Sequence, residues 1–259
     1  MRILCCVKRV PAPGAKINVT EDGQAVETAH LGFTTSPHEE CAVEEAVQIT
    51  ERMGGEVTVL TVGPPEAEEQ LRYAASVGCH HLVLVPTDAT SSSCSPLDPQ
   101  RTASIITGAV ESLEADGGLF DLILFGNESA DSGGFQVGVR VAHALGRPIV
   151  NGIKGVDVND STITARRAVD AGFEVYELPR PAVLGIKEGI NLPRYPTMKG
   201  RLASKKAEMA SMDLDAENGG QAMVKLHRPP ETVKETAILG TNEDAAPAIV
   251  DLLEEIGVL

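Results

Sequence analysis

A glycine-rich segment is the clearest candidate for chemistry in this sequence. It runs from Gly126 to Gly138 as GNESADSGGFQVG, directly after an apolar run that ends at Phe125. Glycines let backbone N–H groups approach an anion, and a helix starting here would add the positive end of its dipole. The segment therefore fits a phosphate cradle, and it fits an ordinary turn with helix-capping Ser and Asp equally well.

Other motifs for nucleotide chemistry are missing from the sequence. It has no Walker sequence and no Gly-x-Gly-x-x-Gly after its first apolar run. Ser132-Gly133-Gly134 is similar to the pyrophosphatase loop of ATP-dependent ligases, but Phe135-Gln136-Val137 stands where that loop continues to Asp-Ser. The sequence also offers no catalytic acid or base, so we expect a nucleotide to be bound and not cleaved.

The potential metal ligands are too scattered to predict a metal site. In Cys79-His80-His81, neighbours in an extended chain would point to opposite faces, and no second ligand pair has zinc spacing. No Ser or Cys lies in a recognisable nucleophile elbow. We therefore expect neither a metal centre nor a catalytic nucleophile.

The composition predicts a globular, acidic protein, and we expect it not to bind nucleic acid. Lys and Arg number 22 against 37 Asp and Glu, a net charge of -15 that repels phosphate backbones. Trp is absent, with only three Tyr and five Phe for base stacking. The apolar fraction of 42% is enough to bury a core.

The cysteines and the N-terminus point to the cytoplasm. Five scattered cysteines do not form a disulfide framework, which indicates a reducing compartment. Met1-Arg2 runs straight into a strand-like segment, unlike a signal or transit peptide. No segment approaches the roughly 20 apolar residues of a membrane span.

Short β-branched runs bounded by Gly or Pro alternate with segments of helical period. These runs are Ile3 to Val7, Val57 to Val62, Leu82 to Val85 and Leu122 to Phe125. The pattern predicts a doubly wound α/β fold with a mainly parallel sheet. The glycine-rich segment would then lie beyond the carboxyl end of a strand, where ligands of such sheets collect.

The first helix has a clear start signal. Ser36-Pro37-His38-Glu39 places a capping Ser before a first-turn Pro, and Glu39 can reach back to the cap amide. The acids that follow, Glu40, Glu44 and Glu45, are interpreted as an ordinary solvated face. Helices are also predicted from Glu66 to Ala75 and after Asp98.

The pattern changes after Pro148. Strand candidates without long helices predict an antiparallel section on one edge of the sheet: Thr162 to Ala165, Phe173 to Leu178 and Val183 to Ile186. Residues 207–240 are polar and weakly periodic, which predicts an extended arm before a final helix, Glu243 to Ile256. An arm of this length needs a surface to lie on, and a partner subunit is the simplest one.

Motifs along the whole chain resemble the beta family of electron transfer flavoproteins. They are Val7-Lys8-Arg9-Val10-Pro11, Ala42-Val43-Glu44-Glu45-Ala46, Leu178 to Val183, Asn191 to Pro196, and Lys205-Lys206. The resemblance implies an adenine-nucleotide hydrolase-like α/β domain over residues 1–188 and a partner recognition loop over 189–206. It also implies that residues 207–259 form a C-terminal arm that packs on an alpha subunit.

The same resemblance implies FAD held mainly by the alpha subunit and AMP held by this one. The matching nucleotide positions are Cys6, Ser36, His38, Glu39, Val62, Gly126, Asn127, Glu128, Ser129, Asp131, Ser132, Gly133, Gly134, Phe135, Gln136 and Val137. Val137 stands where AMP-binding relatives carry Thr. Gln136-Val137-Gly138 also occurs in relatives that bind a second FAD, although their Asp-Gly-Asp-Thr run is Asp131-Ser132-Gly133-Gly134 here.

The remaining matches concern partners. Pro13 stands near an aromatic that contacts the alpha subunit's flavin in some relatives, and Met198 stands where the recognition loop has its anchoring Leu. The matching partner-binding positions are Asn191, Pro193, Arg194, Tyr195, Met198, Lys199, Arg201, Leu202, Lys205 and Lys206.

The resemblance implies an electron carrier, not an enzyme that makes or breaks substrate bonds. Such a carrier forms an obligate heterodimer with its alpha subunit. It accepts electrons from flavin dehydrogenases of the acyl-CoA dehydrogenase type and passes them to a quinone-linked oxidoreductase. Two alternatives are a bifurcating member with a second FAD that oxidises NADH, and a stand-alone ATP-binding sensor of the universal stress type.

Overall fold

The computed structural model describes residues 1–87, 97–159, 161–217, 220–230 and 236–259. These residues form two units, Met1–Leu226 and His227–Leu259. The arm predicted over 207–259 includes residues 218, 219 and 231–235, which lie outside the described residues.

The first unit is built on a mainly parallel sheet. In the described part of the chain its strands are β1 (Arg2–Cys6), β4 (Glu56–Gly63), β5 (His81–Pro86), β6 (Leu122–Gly126), β7 (Ile149–Val158), β8 (Thr162–Val169), β9 (Gly172–Pro179), β10 (Ala182–Ile186) and β11 (Met209–Ser211). Their spatial order is β11-β5-β4-β1-β6-β10-β7-β8-β9, and only the β7–β8 and β8–β9 pairings are antiparallel. Two short strands, β2 (Val10–Pro11) and β3 (Phe33–Thr34), pair separately.

Five helices of the first unit, as far as the structure describes it, flank this sheet: α1 (Pro37–Met53), α2 (Glu68–Val77), α3 (Pro99–Gly117), α4 (Val137–Ala144) and α5 (Met198–Ser204). The second unit contains α6 (Ala246–Glu255). The predicted start of α1 is confirmed, because Ser36 Oγ accepts from the Glu39 N–H and Glu39 Oε2 accepts from the Ser36 N–H. The predicted start of α3 is confirmed too, since Asp98 caps it.

The sheet separates two apolar cores, as a doubly wound fold requires. Alternate residues of β1 point to opposite faces, so Ile3 packs in the cluster that contains α1 and α2. Leu4 packs in the cluster that contains α3 and α4. Both residues are fully buried. The predicted fold class is confirmed.

The chain reverses its winding direction at β1. From β1 it passes through α1 and α2 to β4 and β5 on one side, and β6 then pairs on the other side of β1. Ligands of open α/β sheets bind at the carboxyl ends of the strands beside such a switch point. Cys6, Gly63 and Gly126, the last residues of β1, β4 and β6, therefore mark the expected site.

One predicted strand has a different place in the sheet. The run Val183 to Ile186 was predicted in the antiparallel edge, but β10 lies inside the sheet, parallel to β6 and β7. Every residue of β10 is buried, and a continuous apolar run is typical of a parallel strand covered on both faces. The other two runs, in β8 and β9, do form the antiparallel edge.

The segment after residue 207 begins on the sheet. Residues Met209–Ser211 form β11, which pairs in parallel with β5, and Met212 and Leu214 pack against the α3–α4 core. A three-residue strand is too short to give a periodic signal, so the sequence predicted an arm from its start. Within the second unit, α6 exposes Ile249 and Leu252. None of the helices in the described ranges is long and apolar enough to span a membrane.

Candidate functional site

A cavity of about 670 Å³ lies at the carboxyl ends of β1, β4 and β6. Cys6, Val62 and Gly126 contribute to its walls from these strands, together with most of the glycine-rich segment. The volume is in the range of small-molecule and cofactor sites. The cavity therefore occupies the switch point that the topology marks.

Gly126 lets two elements meet at the floor of this cavity. A Cβ at this position would lie 2.7 Å from Glu39 Cγ and 3.2 Å from the Glu39 backbone N. Only glycine leaves room for β6 to end against the first turn of α1. A Cβ at Gly138 would likewise lie 3.2 Å from the Phe125 ring, so α4 also starts close to β6. Residues of the first turns of both helices, Glu39 and Val137, line the cavity.

The loop between β6 and α4 is held by Lys8. Its ammonium Nζ lies 2.7 Å from an Asp131 carboxylate oxygen, and the Ser129 and Ser132 hydroxyls are 2.8 Å apart. Burial opposes ionisation of Asp131, but the Lys8 charge and hydrogen bonds from Lys8, Ser129 and the Ser132 N–H hold its pKa below the ordinary value. The wall thus carries a paired cation and two hydroxyls beside helix N-termini, a set that suits an anion.

Glu39 is a buried carboxyl group in the same wall. Desolvation raises its pKa to about 7, although hydrogen bonds from the Ser36 and Lys8 N–H groups and the Lys8 charge oppose the shift. The residue is 6% exposed. Its charge therefore changes close to neutral pH, at the contact between α1 and the floor of the cavity.

The predicted nucleotide positions fall into two groups. Those that line the cavity are Cys6, Glu39, Val62, Gly126, Asn127, Glu128, Ser129, Asp131, Ser132, Gly134, Phe135, Gln136 and Val137. Ser36, His38 and Gly133 lie outside the lining. Ser36 is fully buried and caps α1. His38 Nδ1 accepts from the Glu188 N–H, so its Nε2 carries the proton towards Glu128 Oε1, 3.3 Å away.

Sequence reasoning missed several residues of the lining. Lys8, Arg101 and Asn151 line the cavity, as does Asp215 from the segment after β11. Arg101 Nη2 lies 2.6 Å from Asp215 Oδ1, which joins the start of α3 to that segment. Arg101 could have been noticed in the sequence, because a cation in the first turn of a helix interacts unfavourably with the helix dipole and therefore indicates another role. No local signal indicates Asp215, because its position depends on β11.

The two histidines of Cys79-His80-His81 contact different residues. His80 Nδ1 accepts from the Val57 N–H, and His81 Nε2 lies 3.0 Å from Glu56 Oε2. Across the ranges that the structure describes, no group of three or more His, Cys, Asp or Glu side chains is placed to hold a metal ion.

A second candidate surface follows β10. Arg194 donates from Nε and Nη2 to the Glu44 carboxylate at 2.9 and 3.0 Å, and from Nη1 to Glu51 Oε1 at 2.6 Å. Asn191 Nδ2 donates to the Cys41 carbonyl oxygen and to Glu45 Oε2, both at 3.0 Å. The start of the predicted recognition loop, residues 191–194, therefore lies on α1.

This contact corrects the interpretation of the α1 acids. Glu44 and Glu45 are 4% and 5% exposed, so the prediction that they form a solvated face is wrong. The pattern on α1 is that of an acidic face, and nothing local reveals that a segment some 150 residues away covers it. Glu40 is only partly covered.

The end of the loop rests on α2. A Cβ at Gly200 of α5 would lie 2.2 Å from the Ser76 carbonyl oxygen, so α5 needs glycine at this contact. Arg72 Nη1 donates to the Ser204 carbonyl oxygen at 2.6 Å. The predicted partner-binding residues that the structure leaves exposed are Tyr195, Met198, Lys199, Arg201, Leu202, Lys205 and Lys206. Asn191, Pro193 and Arg194 are partly covered.

Comparison with known proteins identifies the family of this chain. The family model described as "Electron transfer flavoprotein domain" matches residues 25–217. The electron transfer flavoprotein subunit beta of Bacillus subtilis (strain 168) is 30% identical over 246 residues, covering 90% of this chain and 93% of the relative. The corresponding subunit of Syntrophomonas wolfei is 32% identical over 231 residues, covering 89% and 86%. That of Mycobacterium tuberculosis is 32% identical over 217 residues, covering 82% and 79%. The chain therefore belongs to the beta-subunit family of electron transfer flavoproteins.

Proposed function

We propose that this chain is the beta subunit of a heterodimeric electron carrier whose alpha subunit holds most of the FAD site. The observation that carries this proposal is the 30% identity to the Bacillus subtilis beta subunit over 90% of the chain. FAD, when bound, supplies the one- and two-electron chemistry. This subunit binds a nucleotide and contributes part of the flavin wall. In the cytoplasm it receives the electron donor on the loop of residues 189–206.

The resident nucleotide of this subunit is AMP in our proposal. The cavity supports it, because its 670 Å³ can hold a mononucleotide and its wall combines glycines, two hydroxyls and Lys8 beside two helix N-termini. Backbone N–H groups of residues 127–137 would hold the phosphate. The nucleotide would stabilise the folded state by mass action and would take no part in electron transfer.

One alternative keeps support from a specific observation. Gln136 and Val137 line the cavity, and Gln136-Val137-Gly138 is shared with relatives that bind a second FAD. A second FAD here would make the protein a bifurcating carrier that oxidises NADH. The replacement of the Asp-Gly-Asp-Thr run by Asp131-Ser132-Gly133-Gly134 favours AMP.

The electron donor is a flavin dehydrogenase of the acyl-CoA dehydrogenase type, and the acceptor is a quinone-linked oxidoreductase. The test is to follow flavin absorbance in the purified heterodimer with either the dehydrogenase and acyl-CoA or NADH. We expect reduction through the dehydrogenase and none by NADH alone. Reduction by NADH without a dehydrogenase would contradict the proposal and favour the bifurcating alternative.

A further inference from the structure

Residues 192–197 cross α1 without belonging to any helix or strand. Their position depends on side-chain contacts, and Arg194 makes most of these. Its backbone N–H and its guanidinium group donate to Glu44, and the guanidinium also reaches both oxygens of Glu51. Glu44 and Glu51 are two helical turns apart on α1, so one guanidinium joins two carboxylates of a rigid element. We call these three residues the clamp.

The clamp stands between two further attachment points. Asn191 is bonded to the Cys41 carbonyl oxygen and to Glu45, and Gly200 packs directly on Ser76. Between these points the loop exposes apolar side chains: Leu192 is 89%, Tyr195 90% and Met198 75% exposed. The backbone is fixed, and the large apolar side chains face solvent.

Such a surface is prepared for binding before a partner arrives. A free loop must lose conformational entropy on docking, and a loop already held in its bound conformation avoids much of that cost. Glu44 depends on Arg194 in turn. The Glu44 side chain is 4% exposed, so its carboxylate would be buried without a paired cation if Arg194 were lost.

We propose that Arg194, Glu44 and Glu51 are positioning residues that set the affinity for the electron-donating dehydrogenase by fixing the loop on α1. The inference rests on the proposed function, in which this loop receives the dehydrogenase. None of the three has to touch the flavin. Loss of the clamp therefore raises the KM for the dehydrogenase and leaves kcat at saturating dehydrogenase unchanged.

The substitutions separate the shape of the guanidinium from its charge. Arg194→Lys keeps the charge but cannot bond both carboxylates through a planar fork. The double substitution Glu44→Gln with Arg194→Gln removes the buried charge together with its partner. This variant leaves no unpaired buried charge, so an effect on the loop is not explained by general unfolding. Arg52→Gln is the matched control, because it removes one exposed cation from the last turn of the same helix.

The experiment uses the flavin-loaded heterodimer in two measurements. Amide hydrogen exchange over residues 191–197 reports the loop directly, and steady-state transfer from the dehydrogenase reports KM and kcat. We expect faster exchange and an approximately tenfold higher KM in Arg194→Gln, Arg194→Lys and the double variant, with kcat within twofold. The double variant should be no worse than Arg194→Gln, since the residues act as a unit. Arg52→Gln should match the native chain.

Two results would overturn the inference in distinguishable ways. Unchanged exchange in the double variant, or a native KM in Arg194→Lys, would show that the clamp does not position the loop. Faster exchange with an unchanged KM, together with an unchanged KM in Met198→Ala, would show that the dehydrogenase docks elsewhere. The second result removes the docking assignment of the proposed function and the inference with it.

Discussion

Glu39 connects the start of α1 with the cavity wall and makes the fold sensitive to pH. Its carboxylate accepts from the Ser36 N–H, and its Cγ packs against Gly126. Burial raises its pKa to about 7, whereas a Glu in an unfolded chain titrates at about 4.3. Between these values the folded state binds more protons than the unfolded state. The free energy of unfolding therefore falls as pH rises through this window.

Glu39→Gln should remove this pH dependence. Glutamine can still accept the hydrogen bond of the capping box but does not titrate. We expect the variant to become more stable than the native protein as pH rises above about 4.5, by up to about 4 kcal/mol above pH 7. Thermal unfolding between pH 4.5 and 8 measures this, with the exposed Glu69→Gln as control. Parallel curves for native and Glu39→Gln protein would show that Glu39 is ionised throughout.

Gly134 offers a direct test of the phosphate cradle. A Cβ there would lie 3.8 Å from Pro99 Cγ, an ordinary contact, so a Cβ can be added without a clash. Gly134→Asp places a negative charge in the cavity wall and should abolish nucleotide retention and lower the melting temperature. Gly134→Ala, the matched control, should keep the nucleotide. Full occupancy and an unchanged melting temperature in Gly134→Asp would mean that the nucleotide lies elsewhere.

At the scale of elements, the parts of the fold that depend on nearby residues could be predicted. The capping box of α1 lies within four residues, and β1 and β6 are continuous apolar runs. β7 was missed because Asn151 and Gly152 interrupt its pattern, where the pairing with β10 shifts register. The contact of Arg194 with Glu44 joins residues 150 positions apart, and no pattern along the chain shows which face a distant loop will cover.

We predict that the exposed Met198 at the start of α5 contacts the dehydrogenase on docking. A thioether side chain adapts to pockets of different shape, and truncation of a buried interface anchor commonly costs about 2 kcal/mol or more. Met198→Ala should therefore raise the KM for the dehydrogenase at least tenfold while dithionite reduction of the flavin is unchanged. Leu119→Ala is a suitable control, since Leu119 is 62% exposed and precedes β6, at the amino-terminal ends of the parallel strands. Equal transfer rates in Met198→Ala and Leu119→Ala would show that the dehydrogenase does not dock on this loop.

At the scale of the whole molecule, the sequence predicted an arm but not where the first unit ends. Residues 209–217 include β11 and the Asp215 that pairs with Arg101, so a truncation at 207 would open the sheet edge at β5. Deletion of His227–Leu259 leaves the first unit whole. We expect this shorter chain to keep its fold but to separate from the alpha subunit, as measured by gel filtration of the co-expressed pair. Co-elution at sub-micromolar concentration would contradict the assignment of the arm to the alpha subunit.

The nucleotide content of the purified heterodimer tests the central claim most directly. Denaturation releases the bound nucleotides, and chromatography against standards identifies and counts them per heterodimer. The proposal predicts one FAD and one AMP, with AMP lost and FAD retained in Gly134→Asp. Two FAD and no AMP would contradict it, because the cavity of this subunit would then hold a second redox centre.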